Sequence, residues 1–231
     1  VMNHPTQLSD FLNYLIDTDH DIPNDPGNDS LPSINEISSE LGISVSSVRE
    51  QLEVAKALGL VEVRPRTGIR RLPYSFTPAV NQSLTYAISM NKKVFEIYSD
   101  LRIHIETSYW DQAVTLLTEG DRAELRKLVD RAWEKLRGTP IQIPHSEHRQ
   151  FHLKIYSRLE NVFVQGILEA YWDAYEAVGL DVYADYQYLQ EVWKYHQIMV
   201  DSINSGDIHA GYQALTEHKD LLYHRPGQSD S

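Results

Sequence analysis

Residues 31–72 read LPSINEISSELGISVSSVREQLEVAKALGLVEVRPRTGIRRL, and the order of caps, stops and apolar positions in this stretch decides the fold. Ser33 with Glu36 three residues on forms a capping box, and Gly42 closes the helix they open after about two and a half turns. Ile43-Ser44 is a tight turn with Ser44 in the N-cap position. A helix over residues 45–58 then buries Val48, Leu52 and Ala55, and Gly59 ends it. Residues 60–63 alternate toward a strand, Pro65-Arg66-Thr67-Gly68 is a turn, and residues 69–72 return as the second strand of a hairpin. Upstream, Leu8, Phe11, Leu12 and Leu15 recur at helical spacing and predict an amphipathic helix over residues 7–16. Helix, helix, short turn, helix and basic hairpin is the order of a winged helix-turn-helix, expected to occupy residues 1–78.

Charge within this stretch runs against the rest of the chain. Residues 44–71 carry six cations (Arg49, Lys56, Arg64, Arg66, Arg70, Arg71) and three carboxylates (Glu50, Glu53, Glu62), whereas the 231-residue chain holds 21 Lys plus Arg against 33 Asp plus Glu, a net charge of −12. A surface that is basic all over is excluded, so a polyanion has one place to dock. The absence of cysteine rules out disulfides, thiolate metal sites and cysteine nucleophiles, leaving nitrogen and oxygen ligands. No uninterrupted apolar run reaches about ten residues and no charged n-region precedes one, so neither a membrane span nor a signal peptide is expected. The expectation is a soluble, cytoplasmic protein.

Beyond the Pro-rich linker at residues 72–78 there is no strand pattern. Helical periodicities cover residues 82–89, 92–118, 121–136, 145–159, 162–178, 186–205 and 207–223, with Asp121 and Asp207 as N-caps after glycine stops. The expected class is mainly α: the winged domain, then an antiparallel helical bundle over residues 79–231.

In the first half the chemistry falls on DNA. The N-terminal face of the third helix presents Val45, Ser46, Ser47 and Arg49 with the caps Ser33 and Ser44 nearby, and Arg49 is the expected base reader. In the hairpin, Arg64 and Arg66 stand beside Gly68, whose small size lets backbone approach a groove, and Arg70 and Arg71 follow as phosphate or minor-groove contacts. Because one winged domain offers few base contacts, a homodimer on a pseudo-palindromic double-stranded operator is expected.

In the second half it falls on histidine. His148 and His152 lie at i and i+4, one turn apart on one helix face. His196 and His218 lie eleven residues either side of Asp207, so a helical hairpin turning at Gly206-Asp207 brings both to one height. Four imidazoles can converge inside the bundle, and a nitrogen-rich set favours Zn²⁺ or Ni²⁺ over Ca²⁺ or Mg²⁺. His145 and Glu147 are further candidates at the edge of this group. Tyr171, Trp172, Tyr175, Tyr183, Tyr186, Tyr188, Trp193 and Tyr195 form core or dimer contacts, or line a pocket.

Two resemblances add to this reading. Leu31-Pro32-Ser33, Leu41-Gly42, Ser44, Val48-Arg49-Glu50, Leu52, Gly59-Leu60-Val61, Arg64 and Gly68 resemble the DNA-binding domain of the GntR family, with Val45 where that family usually has Arg and Ile34 where it usually has Glu. Residues 85–224 resemble the all-helical FCD effector domain of FadR-type GntR regulators. Its pattern of Asp-x3-His, then His, then His is met at His148, His152, His196 and His218, with His148 where Asp is usual. The resemblance implies a bound divalent transition metal, Zn or Ni, and an effector pocket in which Arg102, with Glu106 four residues on, holds the carboxylate of a small organic acid.

Three classes follow: a ligand-responsive transcription regulator, a metal-dependent hydrolase with a histidine-rich site, and a DNA-binding protein whose bundle only dimerises around a structural metal. Arg149, Gln150 and Phe151 between His148 and His152 supply no acidic base, and a hydrolase leaves the first half unexplained. The regulator is preferred, with no enzymatic activity expected.

Overall fold

The computed structural model describes residues 8–18, 30–177 and 186–223. It separates into two compact units, Val1–Gln82 and Ser83–Ser231. The described residues form ten helices and one two-stranded sheet, the mainly α class expected.

In the first unit, α1 (Asp10–Asp17) is capped by Ser9. Gln7, where the expected helix began, lies outside the described residues. The capping box forms as read: Ser33 Oγ accepts from the Glu36 amide, Glu36 accepts from the Ser33 amide, and α2 (Ile34–Leu41) follows, ended by Gly42 at φ +67°. Ser44 caps α3 (Val45–Ala57) by accepting from the Ser47 amide. Strands β1 (Val61–Arg64) and β2 (Gly68–Arg71) pair antiparallel with Arg64 opposite Gly68. Both lie one residue from the expected strands, because Leu60 and Leu72 join through a single bond, Leu72 N–H to the Leu60 carbonyl at 2.9 Å, outside the ladder. Phe11, Leu15, Leu31, Ile37, Val48, Leu52, Ala55, Val61 and Ile69 form one core under the three helices and the wing. Gly59 is required at its corner, since φ is +71° and a Cβ there would lie 2.4 Å from Pro78 Cγ.

Helix α4 (Thr77–Met90) starts five residues before the expected position. Pro78 reads as a breaker in sequence but sits in the first turn, where its missing N–H has no helical partner to lose.

The second unit is built from α5 (Val94–Leu116), α6 (Glu119–Arg137), α7 (His145–Ile155), α8 (Val162–Ala177), α9 (Tyr186–Ser205) and α10 (Ile208–Tyr223). These close a ring in which each helix packs on the next, in the order α5, α10, α9, α6, α7, α8 and back to α5. The core inside includes Trp110, Leu125, Leu128, Leu136, Phe151, Ile155, Leu168, Trp193, Met199 and Val200. Gly211 lets α10 approach α5: a Cβ there would lie 2.7 Å from Trp110 Cζ2. Asp207 caps α10 as expected, accepting from the Ala210 amide at 3.0 Å. Asp121 does not cap α6: Thr118 is the cap and Asp121 closes the box from the third position. Helix α7 stops at Ile155 rather than residue 159. No described helix is long and apolar enough to cross a membrane.

Candidate metal centre and nucleic-acid interface

On the first unit, Ser44 Oγ serves the N-terminus of α3 and lies 2.9 Å from Ser46 Oγ, while Ser47 Oγ accepts from Gln51 Nε2 at 3.2 Å. Ser33, Ser44, Ser46 and Arg49 are exposed and Ser47 is half-buried. Two helix N-termini therefore offer hydroxyls and amides to an anion, with Arg49 one turn into α3. The wing carries exposed Arg64, Arg66 and Gly68 and a half-buried Arg70. Arg64 Nη2 is 2.9 Å from Glu62, and Arg70 stands opposite Glu62 in the ladder. Arg66 at the tip holds φ +70°, a left-handed conformation that costs an L side chain about 1 kcal/mol. Arg71 has another employment: its Nη2 donates to Thr18 Oγ1 at 2.6 Å and fastens the wing to the end of α1.

In the second unit the four histidines come together from three helices, with one ligand atom of each lying within 4.8 Å of the others. Helix α7 brings His148 and His152 one turn apart, α9 brings His196 and α10 brings His218. His152, His196 and His218 are fully buried and His148 is partly buried. His152 Nε2 and His196 Nε2 face each other at 3.1 Å. His196 Nδ1 lies 2.7 Å from the Val192 carbonyl, which can only accept, so His196 carries its proton on Nδ1 and a lone pair on Nε2. Among the described residues, His148 Nε2 and both nitrogens of His218 have no hydrogen-bond partner although buried. Buried polar atoms are rarely left so, and converging imidazole nitrogens without partners suit a cation.

Burial pushes all four imidazoles down, and the neighbouring imidazoles and Arg102 add to the effect at His148 and His218. At His152, Glu106 opposes but does not overcome burial. All four are thus neutral near neutral pH, the form in which imidazole ligates metal.

Arg102 and Glu106 flank this cluster from α5, both almost fully buried. Arg102 Nη2 lies 2.9 Å from Glu106 Oε2, and Glu106 Oε1 lies 3.1 Å from His152 Nδ1. Burial pushes the Glu106 carboxyl up, but Arg102 and His152 outweigh it and hold it below the usual range. The Arg102 guanidinium stacks 4.4 Å over Tyr171 and 5.6 Å from the Trp172 ring centre. The i,i+4 ion pair and the place beside the histidines are both real, and the link from Glu106 to His152 is what the sequence did not disclose.

The remaining candidates separate clearly. Glu147 is paired with Lys135 Nζ at 2.8 Å and is not in the four-residue cluster. His145, the first residue of α7, lines with His148, Tyr175 and Trp193 a cavity of about 10 Å³. His104 is exposed beside Asp100, and His209 contacts Gln213. Tyr171, Trp172, Tyr175 and Trp193 are buried core, and Trp172, 4.7 Å from the His148 ring, is a wall of the centre that its sequence position alone did not single out. Tyr186 is exposed and Tyr188 and Tyr195 are half-buried. Tyr183 lies outside the described residues.

Residues 96–221 match the FCD domain family, and residues 26–70 match bacterial regulatory proteins of the gntR family. The chain is 25% identical over 193 residues to the uncharacterized HTH-type transcriptional regulator YieP of Escherichia coli strain K12, covering 80% of each protein. In structure it is similar to a Streptococcus agalactiae GntR protein, with TM-score 0.66 and 17% identity over 92% of this chain and 95% of that one. A second neighbour, E. coli McbR/YncC, has TM-score 0.48 and 19% identity over 94% and 96% of the two chains. With a winged helix-turn-helix over the gntR match and a closed helical ring over the FCD match, this chain belongs to the FadR-type, FCD-bearing branch of the GntR family of DNA-binding transcription regulators.

Proposed function

We propose that this regulator binds pseudo-palindromic operator DNA as a homodimer and that a small organic carboxylate, entering a metal-containing FCD domain, alters that binding. The winged domain of residues 1–78 makes the DNA contacts and residues 79–231 bind metal and effector and dimerise. Arg49 reads a base edge. Ser33, Ser44, Ser46, Ser47, Arg64, Arg66 and Arg70 hold phosphates, and Gly68 lets the wing backbone approach a groove. His148, His152, His196 and His218 hold one divalent transition metal, Zn²⁺ or Ni²⁺. The observation that carries this reading is the convergence of four neutral imidazoles, with His148 Nε2 and both nitrogens of His218 buried without hydrogen-bond partners.

Once bound, such a metal supplies a Lewis-acidic centre for an anionic ligand. The chain's own residues then select the ligand: Arg102 offers a guanidinium edge to a planar carboxylate, and Tyr171 and Trp172 hold that guanidinium in place. The cavity beside His148, about 10 Å³, has room for roughly one water, so an organic acid lodging there would require the surrounding helices to shift. Such a shift would give the effector different affinities for two arrangements of the domain, which is what coupling to DNA requires. Glu147, the candidate base nearest the His148–His152 turn in sequence, is paired with Lys135, which weakens the hydrolase reading.

The test is a screen of small carboxylic acids on metal-loaded protein, by thermal shift and by operator retardation, alongside Arg102→Lys. The lysine keeps the charge that Glu106 needs and removes the fork. A hit that stabilises the wild type and changes its operator affinity, with both effects weakened in Arg102→Lys, supports the proposal. If no equivalent of Zn²⁺ or Ni²⁺ is retained after reloading, the metal reading fails.

A further inference from the structure

We propose that Glu106 is a positioning residue for the four-imidazole centre: it sets the tautomer of His152 and supplies the negative charge that four neutral imidazoles lack. This rests on reading the four histidines as a metal site.

Glu106 is 1% exposed, and its backbone carbonyl accepts from Tyr156 Oη at 2.9 Å, which ties α5 to α7 at this residue. Its Oε1 lies 3.1 Å from His152 Nδ1, within reach of a hydrogen bond, although neither Glu106 oxygen completes one as the structure stands. A carboxylate oxygen can only accept, so the proton of a neutral His152 belongs on Nδ1 and its lone pair on Nε2. His196 is fixed the same way by the Val192 carbonyl. Two lone pairs then face each other across 3.1 Å, an arrangement that repels unless a cation lies between them. Ligand bonds of about 2.0–2.1 Å place two cis imidazole nitrogens about 2.9–3.4 Å apart, which matches this separation.

Charge gives the second half of the role. A dication among four neutral imidazoles leaves two positive charges in a buried place, and Arg102 adds a third. Glu106, in contact with both Arg102 and His152, is the described carboxylate that touches this group. Outer carboxylates that accept from a ligating imidazole orient the ring and raise its basicity.

The test uses Ni²⁺ and the full-length protein, with affinity measured by competition against a chelator. Glu106→Gln is expected to lower Ni²⁺ affinity about 10- to 100-fold while keeping about one equivalent at saturation. Because this variant leaves Arg102 buried without its anion, Arg102→Gln with Glu106→Gln serves as a second variant that restores the net charge of the wild-type site, and it should show a smaller loss than Glu106→Gln, since only the contact with His152 is then missing. Adding His148→Asp to Glu106→Gln brings a carboxylate to the most exposed of the four ligands and should recover about a tenfold share of the affinity, which a purely structural defect would not allow. Nitrogen-15 NMR of the metal-free wild type should show His152 protonated on Nδ1. Wild-type affinity in Glu106→Gln, or a His152 proton on Nε2 in the wild type, overturns the role of Glu106 while leaving the metal site standing. No Ni²⁺ binding by the wild type overturns both.

Discussion

Arg66 keeps its left-handed φ of +70° at the exposed tip of the wing, where glycine would sit without cost. A strained side chain is retained where it does something, so replacing it separates stability from binding. Arg66→Gly is expected to raise thermal stability by up to about 1 kcal/mol and yet weaken binding to operator and random DNA alike. The slope of log affinity against log salt should become shallower by about one unit if Arg66 meets one phosphate. Arg49→Ala should instead cost about 1 to 3 kcal/mol on operator and little on random DNA, and an equal loss on both would remove Arg49 as a base reader. The histidines make a separate prediction. Their folded-state affinities for protons are lowered by burial, so their contribution to stability is present above the ordinary histidine value and is lost as pH falls through it. Chelator-treated protein should lose about 1.4 kcal/mol per pH unit below about 6.5 for each imidazole that stays neutral, read from unfolding midpoints.

The α5–α10 contact gives a sign test among the elements. Gly→Ala inside a helix ordinarily stabilises by about 1 kcal/mol. At Gly211 the new methyl would meet Trp110 Cζ2 at 2.7 Å and Ser202 Cβ at 3.3 Å, and Trp110 cannot retreat because it is fully buried with Nε1 donating to the Ile208 carbonyl at 3.0 Å. Gly211→Ala is therefore expected to destabilise by about 1 to 3 kcal/mol in thermal unfolding, whereas Gly120→Ala, whose nearest neighbour would be 3.7 Å away, should not. The elements themselves were legible where their signals are local. Ser33 with Glu36, Ser44 and Asp207 cap the helices they were expected to cap, because a capping bond spans only three residues. Thr118 and Asp121 can both open a helix, and choosing between them depends on which oxygen takes which amide, so α6 starts before the position read from sequence. The histidine cluster was legible for the same kind of reason: i,i+4 spacing on α7 and equal distances from the α9–α10 turn are local facts. The contact of Glu106 with His152 was not, because it depends on α5 and α7 facing each other across the closed ring. Trp172 was hidden likewise among the other aromatics of α8 and α9.

For the whole molecule, effector and operator can influence each other only through a difference in affinity between two arrangements of the chain, typically about 1 to 3 kcal/mol or 5- to 150-fold. The same linkage requires that operator DNA change effector affinity by that factor, which titration of a hit carboxylate with and without operator would check. Removing the metal should lower the stability of the FCD domain more than that of the winged domain, since α7, α9 and α10 lose a shared tie. The aromatic wall around the histidines has an optical consequence. Of four tryptophans, Trp172 lies 4.7 Å from the His148 ring and Trp193 lies 4.7 Å from the His196 ring. Their fluorescence should therefore fall when paramagnetic Ni²⁺ enters and change less with Zn²⁺, whose filled d shell is a poor quencher. With both replaced by Phe, Trp110 and Trp133 would still emit and the Ni²⁺ response would be gone, so the proposed centre would carry a built-in gauge of its own occupancy.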